Sequence, residues 1–410
     1  MVLKAFMPWF GGAPNLRLQP TRLRWRSAGR LKRGTLGGVE RLLQMQKKDR
    51  IIRILRVIMP TVAIISLIVI PPLDLVPPMI APLPDTVQEQ VDDAIDYGLN
   101  GIIVYVDQPD KSPAFYAAGW KNKLTQEPAD PHALFKIGSI SKLYIATAAA
   151  KLVNDQSLSL DNTLADYLPE LVGRIEYADQ ITLRMMLQHR SGIPNFTDQG
   201  EFDWFTPQTD ENKMLELVLD KPADFKPDAH YSYSNTNYLL IGRILDKVLG
   251  YSHQDYINTE ILAPLGLTNT FSLLSQVDYD DVVSGYWYQY DDDLRSLDHV
   301  IPGGSMIATA QDVGIFLRAL NDGSLLNDDE QAIYSSIYEY EHTGWVPGYY
   351  SIARYHEDID TVVIQFVNTT GGDTWGIANV IGGKTTGISN IIYNRIVRIL
   401  HREINSGDTP

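Results

Sequence analysis

Strand-like segments stand near both ends of the region 102–368, and the sequence between them has mostly helical patterns. Near its start, Ile102–Val106 and Ala114–Trp120 are rich in strand-forming residues and are joined by a Pro- and Asp-containing turn. Three strand-like segments follow near its end: Glu341–Trp345, Tyr349–Tyr355 and Thr361–Asn368. Strands from both ends of a chain that share one sheet predict an α+β fold. We expect a three-layer α/β/α arrangement, with helices on both faces of one antiparallel sheet and an inserted, mostly helical lobe.

The charge of the chain is unevenly distributed. Residues 1–56 contain 14 basic and 2 acidic side chains, whereas the remainder contains 21 basic and 48 acidic side chains. A region this acidic should repel nucleic acid, which is bound by clustered Lys and Arg, so no nucleic-acid partner is expected. The chain has no cysteine, which excludes disulfides, thiolate nucleophiles and cysteine-ligated metals.

The N-terminal region has the pattern of a membrane anchor. Val57–Leu73 carries no charged residue, and several Lys and Arg residues directly precede it. Extended by the flanking arginines, such a stretch is long enough to span the hydrocarbon layer with its basic flank in the cytoplasm. We predict four segments: a basic, disordered cytoplasmic segment at 1–50, a transmembrane signal-anchor at 51–73, a Pro-rich linker at 74–86 and the main, acidic domain at 87–405.

Two alternatives stay open at this end of the chain. The apolar segment could be cleaved as a secretion signal, and translation could begin at Met45, which would leave a conventional signal-type start. No Ala-x-Ala site follows the apolar run, which favours retention as an anchor. On this interpretation the acidic domain is periplasmic or at the cell surface, or is secreted if the segment is removed.

The tetrapeptide Ser139-Ile-Ser-Lys142 opens an apolar segment that predicts a buried helix. A serine in the first turn of such a helix has unpaired backbone N–H groups beside it, and the helix dipole favours negative charge there. Lys142 lies one turn further on the same face, where burial would favour its neutral form and let it act as a base. Alone, the pattern is also that of a capping serine and an ordinary lysine.

A second polar cluster, Tyr233-Ser-Asn235, precedes the apolar helix predicted at Tyr238–Leu249. A tyrosine phenol near a lysine ammonium would be driven toward phenolate and could exchange a proton. Asn235 offers both a donor and an acceptor and is suited to holding a substrate amide. Capping residues and a packed aromatic would explain the same cluster without chemistry.

A third cluster, His342-Thr343-Gly344, begins a predicted strand where the chain returns to the sheet. Glycine at this position lets a substrate approach the backbone closely. The N–H of Trp345 could then join the N–H of Ser139 in an oxyanion hole. A plain turn at a strand edge is the alternative for this tripeptide taken alone.

The order Ser-x-x-Lys, Tyr-x-Asn and His-Thr-Gly resembles that of the β-lactamase-related serine hydrolases. These include class C β-lactamases, serine DD-carboxypeptidases, D-aminopeptidases and family VIII carboxylesterases. The resemblance extends over about residues 87–403, and four longer segments share it: FKIGSISKLYIA from 135, MMLQHRSGIPNF from 185, PLGLTNTFS from 264 and PGGSMIATAQDVGIFLRAL from 302.

The resemblance implies an acyl-enzyme reaction without a metal or organic cofactor. It implies that Ser139 is the nucleophile and that Lys142 and Tyr233 transfer protons. It also implies that Asn235 contacts the substrate amide. His342 and Thr343 would contact the substrate carboxylate or the group that takes its place. Many β-lactamases carry lysine at the position of His342, whereas a histidine is mostly neutral near pH 7 and holds a carboxylate less firmly. This departure argues against strong β-lactam hydrolysis and fits the carboxypeptidase, aminopeptidase and esterase branches.

The sequence therefore predicts a serine hydrolase that acts on a small peptide, β-lactam or ester substrate. A DD-peptidase, D-amino-acid peptidase or β-lactamase-related activity is favoured, with a carboxylesterase of small esters and a non-catalytic binder of cell-wall peptides as alternatives. The chain has no Gly-x-Ser-x-Gly elbow, which excludes an α/β-hydrolase. The site is expected in a cleft between sheet and lobe, shaped by the loops 197–230 and 278–300.

Overall fold

The structure, a computed structural model, describes residues 47–48, 50, 52–62, 75–372 and 383–406. The chain divides into two compact units, Met1–Ile65 and Ser66–Pro410. The described residues of the first unit are helical. Within the described residues, no helix is both long enough and apolar enough to cross a membrane. Residues 1–46 of the predicted disordered segment and residues 63–73 of the predicted anchor lie outside the described residues, so both stay predictions.

Strands from both ends of the second unit form one antiparallel sheet, as predicted. The described strands are β1 (Gly101–Asp107), β2 (Ala114–Asn122), β3 (Glu127–Pro128), β4 (Phe135–Lys136), β5 (Thr270–Phe271), β6 (Tyr286–Trp287), β7 (Ile307–Ala308), β8 (His342–Val346), β9 (Tyr349–His356), β10 (Thr361–Val367) and β11 (Thr369–Thr370). The main sheet has the order β3-β2-β1-β10-β9-β8, and neighbouring strands are antiparallel. Since β1 pairs with β10, the sheet forms only when both ends of the unit meet.

Helices cover the sheet and fill the inserted lobe. The described helices of the second unit are α1 (Val76–Ile80), α2 (Val87–Asp96), α3 (Ser141–Asn154), α4 (Leu164–Tyr167), α5 (Leu183–Leu187), α6 (Glu211–Glu216), α7 (Asn235–Leu249), α8 (His253–Ile257), α9 (Ala310–Asn321), α10 (Asp328–Ile337) and α11 (Gly383–Ser406). Short helical turns connect them: Gly138–Ile140, Pro169–Leu171, Phe196–Asp198, Asn258–Leu262, Leu274–Gln276, Tyr279–Asp281 and Glu357–Ile359. Most of the short elements belong to the lobe between β3 and β8.

Successive side chains of β1 enter two different cores because the strand is covered on both faces. Ile102 and Val104 pack with Ile392 of α11 in one core. Ile103 and Tyr105 belong to the other core, which also contains α3 and α9. Burial on both faces explains why this segment is an uninterrupted apolar run rather than an alternating one. The two cores and the sheet between them give the predicted three layers.

Local signals explain where the two helices of the site begin and end. Eleven of the fourteen residues of α3 are buried, which is why its sequence is apolar on nearly all sides. α7 begins at Asn235 rather than at the predicted Tyr238 and ends at Gly250, which has a left-handed φ of +75°. The earlier start places Asn235 in the first turn of the helix, beside α3.

The Pro-rich segment 75–86 belongs to the second unit and packs against α11, whereas the sequence predicted a linker. It contains α1, and the buried Arg395 of α11 donates to the carbonyl oxygens of Pro78, Ala81 and Pro82 at 3.3, 2.8 and 2.6 Å. Proline has a backbone carbonyl that accepts hydrogen bonds but no backbone N–H that donates them. A Pro-rich segment is therefore rich in acceptors, and a guanidinium with five donors can bind it. The segment is therefore part of the domain.

Candidate active site

Ser139 lies in a short turn before α3, and not in the first turn of α3 as predicted. The turn is Gly138–Ile140, and α3 begins at Ser141. The Ser141 hydroxyl donates to the Gly138 carbonyl at 2.6 Å. Gly138 has a φ of +53°, and a Cβ there would lie 2.9 Å from the backbone N of Trp345. The left-handed glycine thus lets this turn, Gly138–Ile140, approach strand β8; it is called the nucleophile turn below because it carries the predicted nucleophile Ser139.

Lys142 is fully buried beneath this turn. Its Nζ lies 3.1 Å from Ser139 Oγ, 2.9 Å from Asn235 Oδ1 and 2.9 Å from the carbonyl oxygen of Gly303. Burial lowers the pKa of Lys142 to about 7, because the ammonium loses its water. A neutral amine would donate its two N–H groups to the two carbonyl oxygens, which only accept, and direct its lone pair toward Ser139. This geometry is compatible with the predicted role of Lys142 as a base for the hydroxyl.

Tyr233 also contacts the Ser139 hydroxyl. The phenol donates to Ser139 Oγ at 2.8 Å, and Lys142 Nζ lies 5.1 Å from the centre of the tyrosine ring. Burial raises the pKa of Tyr233, although its hydrogen bond to Ser139 acts in the opposite direction. Burial therefore opposes the predicted shift of this phenol toward phenolate. Tyr233 is a protonated donor to the nucleophile.

Asn235 holds the lysine with the same side chain that was expected to hold a substrate amide. Its Oδ1 accepts from Lys142, and its Nδ2 lies 3.3 Å from Thr197 Oγ1. Its backbone N–H donates to Asn195 Oδ1 at 2.9 Å. A substrate amide would have to compete with these partners. The first role of Asn235 in this structure is therefore to position Lys142.

Three supporting residues were not singled out by sequence reasoning, namely His189, Asn195 and Gly303. Gly303 has a φ of +75°, and a Cβ there would lie 2.8 Å from Lys142 Cγ. His189 and Asn195 belong to the segment MMLQHRSGIPNF, and Gly303 belongs to PGGSMIATAQDVGIFLRAL. The resemblance of these segments to a known family was the available signal, but spacing alone does not show which of their residues reach the site.

His189 brackets Tyr233 with three contacts. Its carbonyl oxygen accepts from the Ser232 N–H at 2.8 Å, and its Nδ1 accepts from the Ser234 N–H at 3.1 Å. Its ring stacks on the ring of Tyr233, with the centres 4.4 Å apart. Because Nδ1 accepts, the imidazole is neutral, which agrees with a pKa that burial lowers to about 3. His189 thus fixes the backbone on both sides of Tyr233.

Replacing the ring nitrogen of His189 should slow turnover. His189→Phe keeps an aromatic ring but leaves the Ser234 N–H without its acceptor, so we expect kcat to fall by about 10- to 100-fold as Tyr233 shifts. His189 has a left-handed φ of +55°. Asparagine tolerates this backbone and places Oδ1 where Nδ1 stands, so kcat of His189→Asn should stay within about fivefold of the original value. Steady-state kinetics and thermal unfolding of both variants check this. Unchanged kcat in His189→Phe would contradict it.

Strand β8 packs its glycine against the nucleophile turn. Gly344 pairs with Ser351 of β9, and a Cβ on Gly344 would overlap the carbonyl oxygen of Ile137. The Ser351 hydroxyl donates to the same oxygen at 2.9 Å. The predicted reason for this glycine was access of a substrate to the backbone. The structure adds a second reason for glycine here, because only glycine lets β8 lie directly against the backbone segment that leads to Ser139.

Gly344→Ala is therefore expected to lower both stability and activity. The added methyl group meets backbone atoms that cannot rotate away, so β8 must move from the nucleophile turn, at a cost of about 2 kcal/mol or more. We expect kcat/KM to fall at least about tenfold as the oxyanion donors separate. Gly200→Ala is the matched control, since nothing lies within 4 Å of its added Cβ. Equal melting temperatures for the two variants would contradict the prediction.

His342 is neutral in this site. Burial is the main reason that its pKa falls to about 4, and the nearby Lys142 lowers it further. Its Nδ1 lies within hydrogen-bond distance of the Thr343 carbonyl oxygen. Since a carbonyl oxygen only accepts, Nδ1 carries the proton and Nε2 is an acceptor. The imidazole therefore offers no charge to a substrate carboxylate.

One cleft of about 570 Å³ contains most of these groups. Its lining includes Gly138, Ser139, Asn195, Thr197, Asp198, Trp204, Tyr233, Asn235, His299, Ile301, Gly304, His342, Thr343, Trp345, Val346, Tyr350, Thr386 and Asn390. Of the predicted residues, Lys142 and Gly344 do not line it, because each lies behind the groups it supports. The loops 197–230 and 278–300 contribute to its wall, as predicted. Among the described residues, no group of three or more His, Asp or Glu side chains is arranged to hold a metal ion.

The fold and the site together define a class of protein, in which a serine, a lysine and a tyrosine meet in a cleft between an antiparallel sheet and an inserted lobe. Comparison with known sequences identifies the family. The sequence model of the Beta-lactamase family matches residues 83–338, and the chain belongs to this family. This confirms the resemblance carried by the three polar clusters.

Similar proteins cover this chain to different extents. Penicillin-binding protein 4 of Amycolatopsis lactamdurans is 32% identical over 160 residues, which are 38% of this chain and 41% of that protein. Penicillin-binding protein 4* of Bacillus subtilis (strain 168) is 25% identical over 195 residues, which are 46% of this chain and 41% of that protein. The chain thus spans about two fifths of the curated relatives it matches. D-amino acid amidase from Ochrobactrum anthropi SV3 has the same fold, with a TM-score of 0.67, 23% identity and coverage of 77% of this chain and 98% of the amidase.

Proposed function

We propose that this protein is a serine hydrolase that cleaves an amide or ester through an acyl-enzyme on Ser139. The observation that carries the proposal is the contact of Ser139 Oγ with two proton-transfer groups, Lys142 Nζ at 3.1 Å and Tyr233 OH at 2.8 Å. A nucleophile within hydrogen-bond reach of a base, which is itself held by further groups, is the geometry that covalent catalysis requires. The hydroxyl lines the cleft, so a substrate carbonyl can reach it.

In the proposed acylation, neutral Lys142 takes the Ser139 proton as Oγ bonds to the carbonyl carbon of the substrate. The electron pair of the carbonyl double bond moves to oxygen, and the N–H groups of Ser139 and Trp345 stabilise the negative charge. When the pair returns, the bond to the amine or alcohol breaks, and that group takes a proton from the Lys142 ammonium, either directly or through the Tyr233 phenol, which leaves Lys142 neutral again. Water then repeats the same steps on the acyl-enzyme, which releases the acid and restores the serine.

The substrates we propose are D-amino-acid amides or short peptides. Support comes from the shared fold with a D-amino acid amidase and from the neutral His342, which cannot pair with the carboxylate of a β-lactam. A small ester is the second candidate, because Trp204, Ile301 and Trp345 give the cleft an apolar wall. A penicillin-binding or cell-wall role would follow from the sequence relatives rather than from a feature of this cleft.

We also propose that the domain acts outside the cytoplasm, either anchored or released. The support is the charge-free run Val57–Leu73 behind a basic flank. Protease treatment of intact cells measures this directly, since an extracytoplasmic domain is digested while cytoplasmic proteins survive.

Intact-mass spectrometry after exposure to a slowly hydrolysed acylating inhibitor tests the acyl-enzyme. The expected result is one acyl group, located on the peptide that contains Ser139. Turnover is measured on four substrates: a short-chain nitrophenyl ester, a D-alanyl-D-alanine peptide, a D-amino-acid amide and a chromogenic cephalosporin. If no adduct forms, no substrate is turned over and penicillin binds reversibly, the proposed hydrolase activity is contradicted and the alternative of a non-catalytic binder is supported.

A further inference from the structure

Apart from the tyrosine phenols, the charged and titratable groups that line the cleft offer hydrogen-bond acceptors rather than donors to a substrate. Among the described residues of its lining, Asp198 is the only carboxylate, and no Lys or Arg is present. Lys142 is buried behind Ser139 and has its hydrogen bonds to protein oxygens. A substrate carboxylate would therefore enter without the cationic partner that such a group needs to leave water.

Two histidines extend this acceptor character. His342 donates from Nδ1 to the Thr343 carbonyl, so its Nε2 carries no proton. His299 lies within hydrogen-bond distance of the Trp204 carbonyl oxygen through Nε2, at 3.0 Å, so its Nδ1 is the acceptor. Burial lowers the pKa of each ring to about 4. Each imidazole in the cleft therefore donates its one N–H to a backbone carbonyl, and its other nitrogen can accept a hydrogen bond.

Asp198 is held in a fixed position while its carboxylate stays accessible. It ends the helical turn Phe196–Asp198. Thr197 of this turn and Asn195, which precedes the turn, form hydrogen bonds with Asn235 at the site. The side chain is exposed. Within the described residues the carboxylate forms no hydrogen bond or ion pair with a side chain. It is thus an available anion on a wall that is anchored to the catalytic residues.

We infer that Asp198 and His342 make the cleft select substrates with an ammonium group near the scissile carbonyl over substrates with a carboxylate there. An ammonium has three donors and a positive charge, which match a carboxylate and a bare imidazole nitrogen. The substrate class is therefore amides or esters of amino acids with a free α-amino group. This inference rests on the proposed function and narrows it to one charge type.

Three alanine p-nitroanilides, of either hand, test the inference: one with a free amine, one N-acetylated and one N-succinylated. We expect kcat/KM for the free amine to exceed that for the N-succinyl substrate by about tenfold or more. Asp198→Asn should lower kcat/KM for the free amine about fivefold, as for an exposed ion pair, and leave the N-acetyl substrate within about twofold. Asp179→Asn is the matched control, because Asp179 is exposed and does not line the cleft.

His342→Lys provides a second, opposite test. A cation at this position should attract the succinyl carboxylate and repel the ammonium, so the ratio of the two kcat/KM values should move at least about tenfold toward the N-succinyl substrate. Turnover without a preference, or an equal loss for all three substrates in Asp198→Asn, would overturn the inference and leave the hydrolase intact. Absence of turnover with every substrate would overturn both.

Discussion

Ser139→Ala is expected to lower kcat/KM by about 10⁴-fold or more and to abolish the covalent adduct. Loss of the nucleophile alone removes nearly all of the rate enhancement when the catalytic residues act as a unit. The chain should stay folded, because Ser139 is half-buried and its hydroxyl supports no other element. Its two contacts are to Lys142 and Tyr233, which keep partners of their own or remain packed. The measurements are steady-state turnover, intact mass and the melting temperature.

The control for this experiment is Ser157→Ala. Ser157 is exposed and follows the far end of α3 from the site, so this variant should match the original protein in turnover, mass labelling and stability. Turnover by Ser139→Ala within about tenfold of the original rate would contradict the acyl-enzyme. A labelled peptide elsewhere in the chain would identify a different nucleophile.

The second large effect expected is on the pH dependence of kcat/KM, which should rise as pH increases through about 7. Burial lowers the pKa of Lys142 to about 7, so its proton-accepting form grows from about a tenth at pH 6 to about nine tenths at pH 8. Lys142→Arg should lose about 10³-fold or more at pH 8 and show no rise near pH 7, because a guanidinium stays protonated and cannot act as base. Rates measured between pH 5 and 9 on an uncharged ester check both statements.

Lys136 is the control for this pH profile. Burial also lowers its pKa, to about 8, while Asp298 and Asp293 act in the opposite direction. It donates to the carbonyl oxygens of Leu294 and Leu297 and does not touch Ser139. Lys136→Gln should therefore keep the rise near pH 7. Loss of this rise in Lys136→Gln, or its persistence in Lys142→Arg, would show that a group other than Lys142 is the base.

Much of the framework was decided by local sequence. The apolar run at Ile102–Val106 and the segments that form β8 to β10 are rich in residues that favour strand geometry. Burial in the sheet stabilises these strands further. The strand groups at the two ends, separated by helical patterns, leave few ways to build one sheet, so the antiparallel sheet and inserted lobe followed. The order of the three polar clusters likewise indicated Ser139, Lys142 and Tyr233, since each lies next to a strong helix or strand signal.

Tertiary structure decided what these groups do. Burial in the folded chain raises the pKa of Tyr233, and a sequence does not show how far a side chain is desolvated. Asn235 was read as a substrate ligand, but folding brings its oxygen to Lys142. His189 and Gly303 reach the site only through contacts between distant segments. Hydrogen bonds and burial depend on which atoms meet in space, whereas spacing along the chain fixes only which face of a helix or strand a side chain occupies.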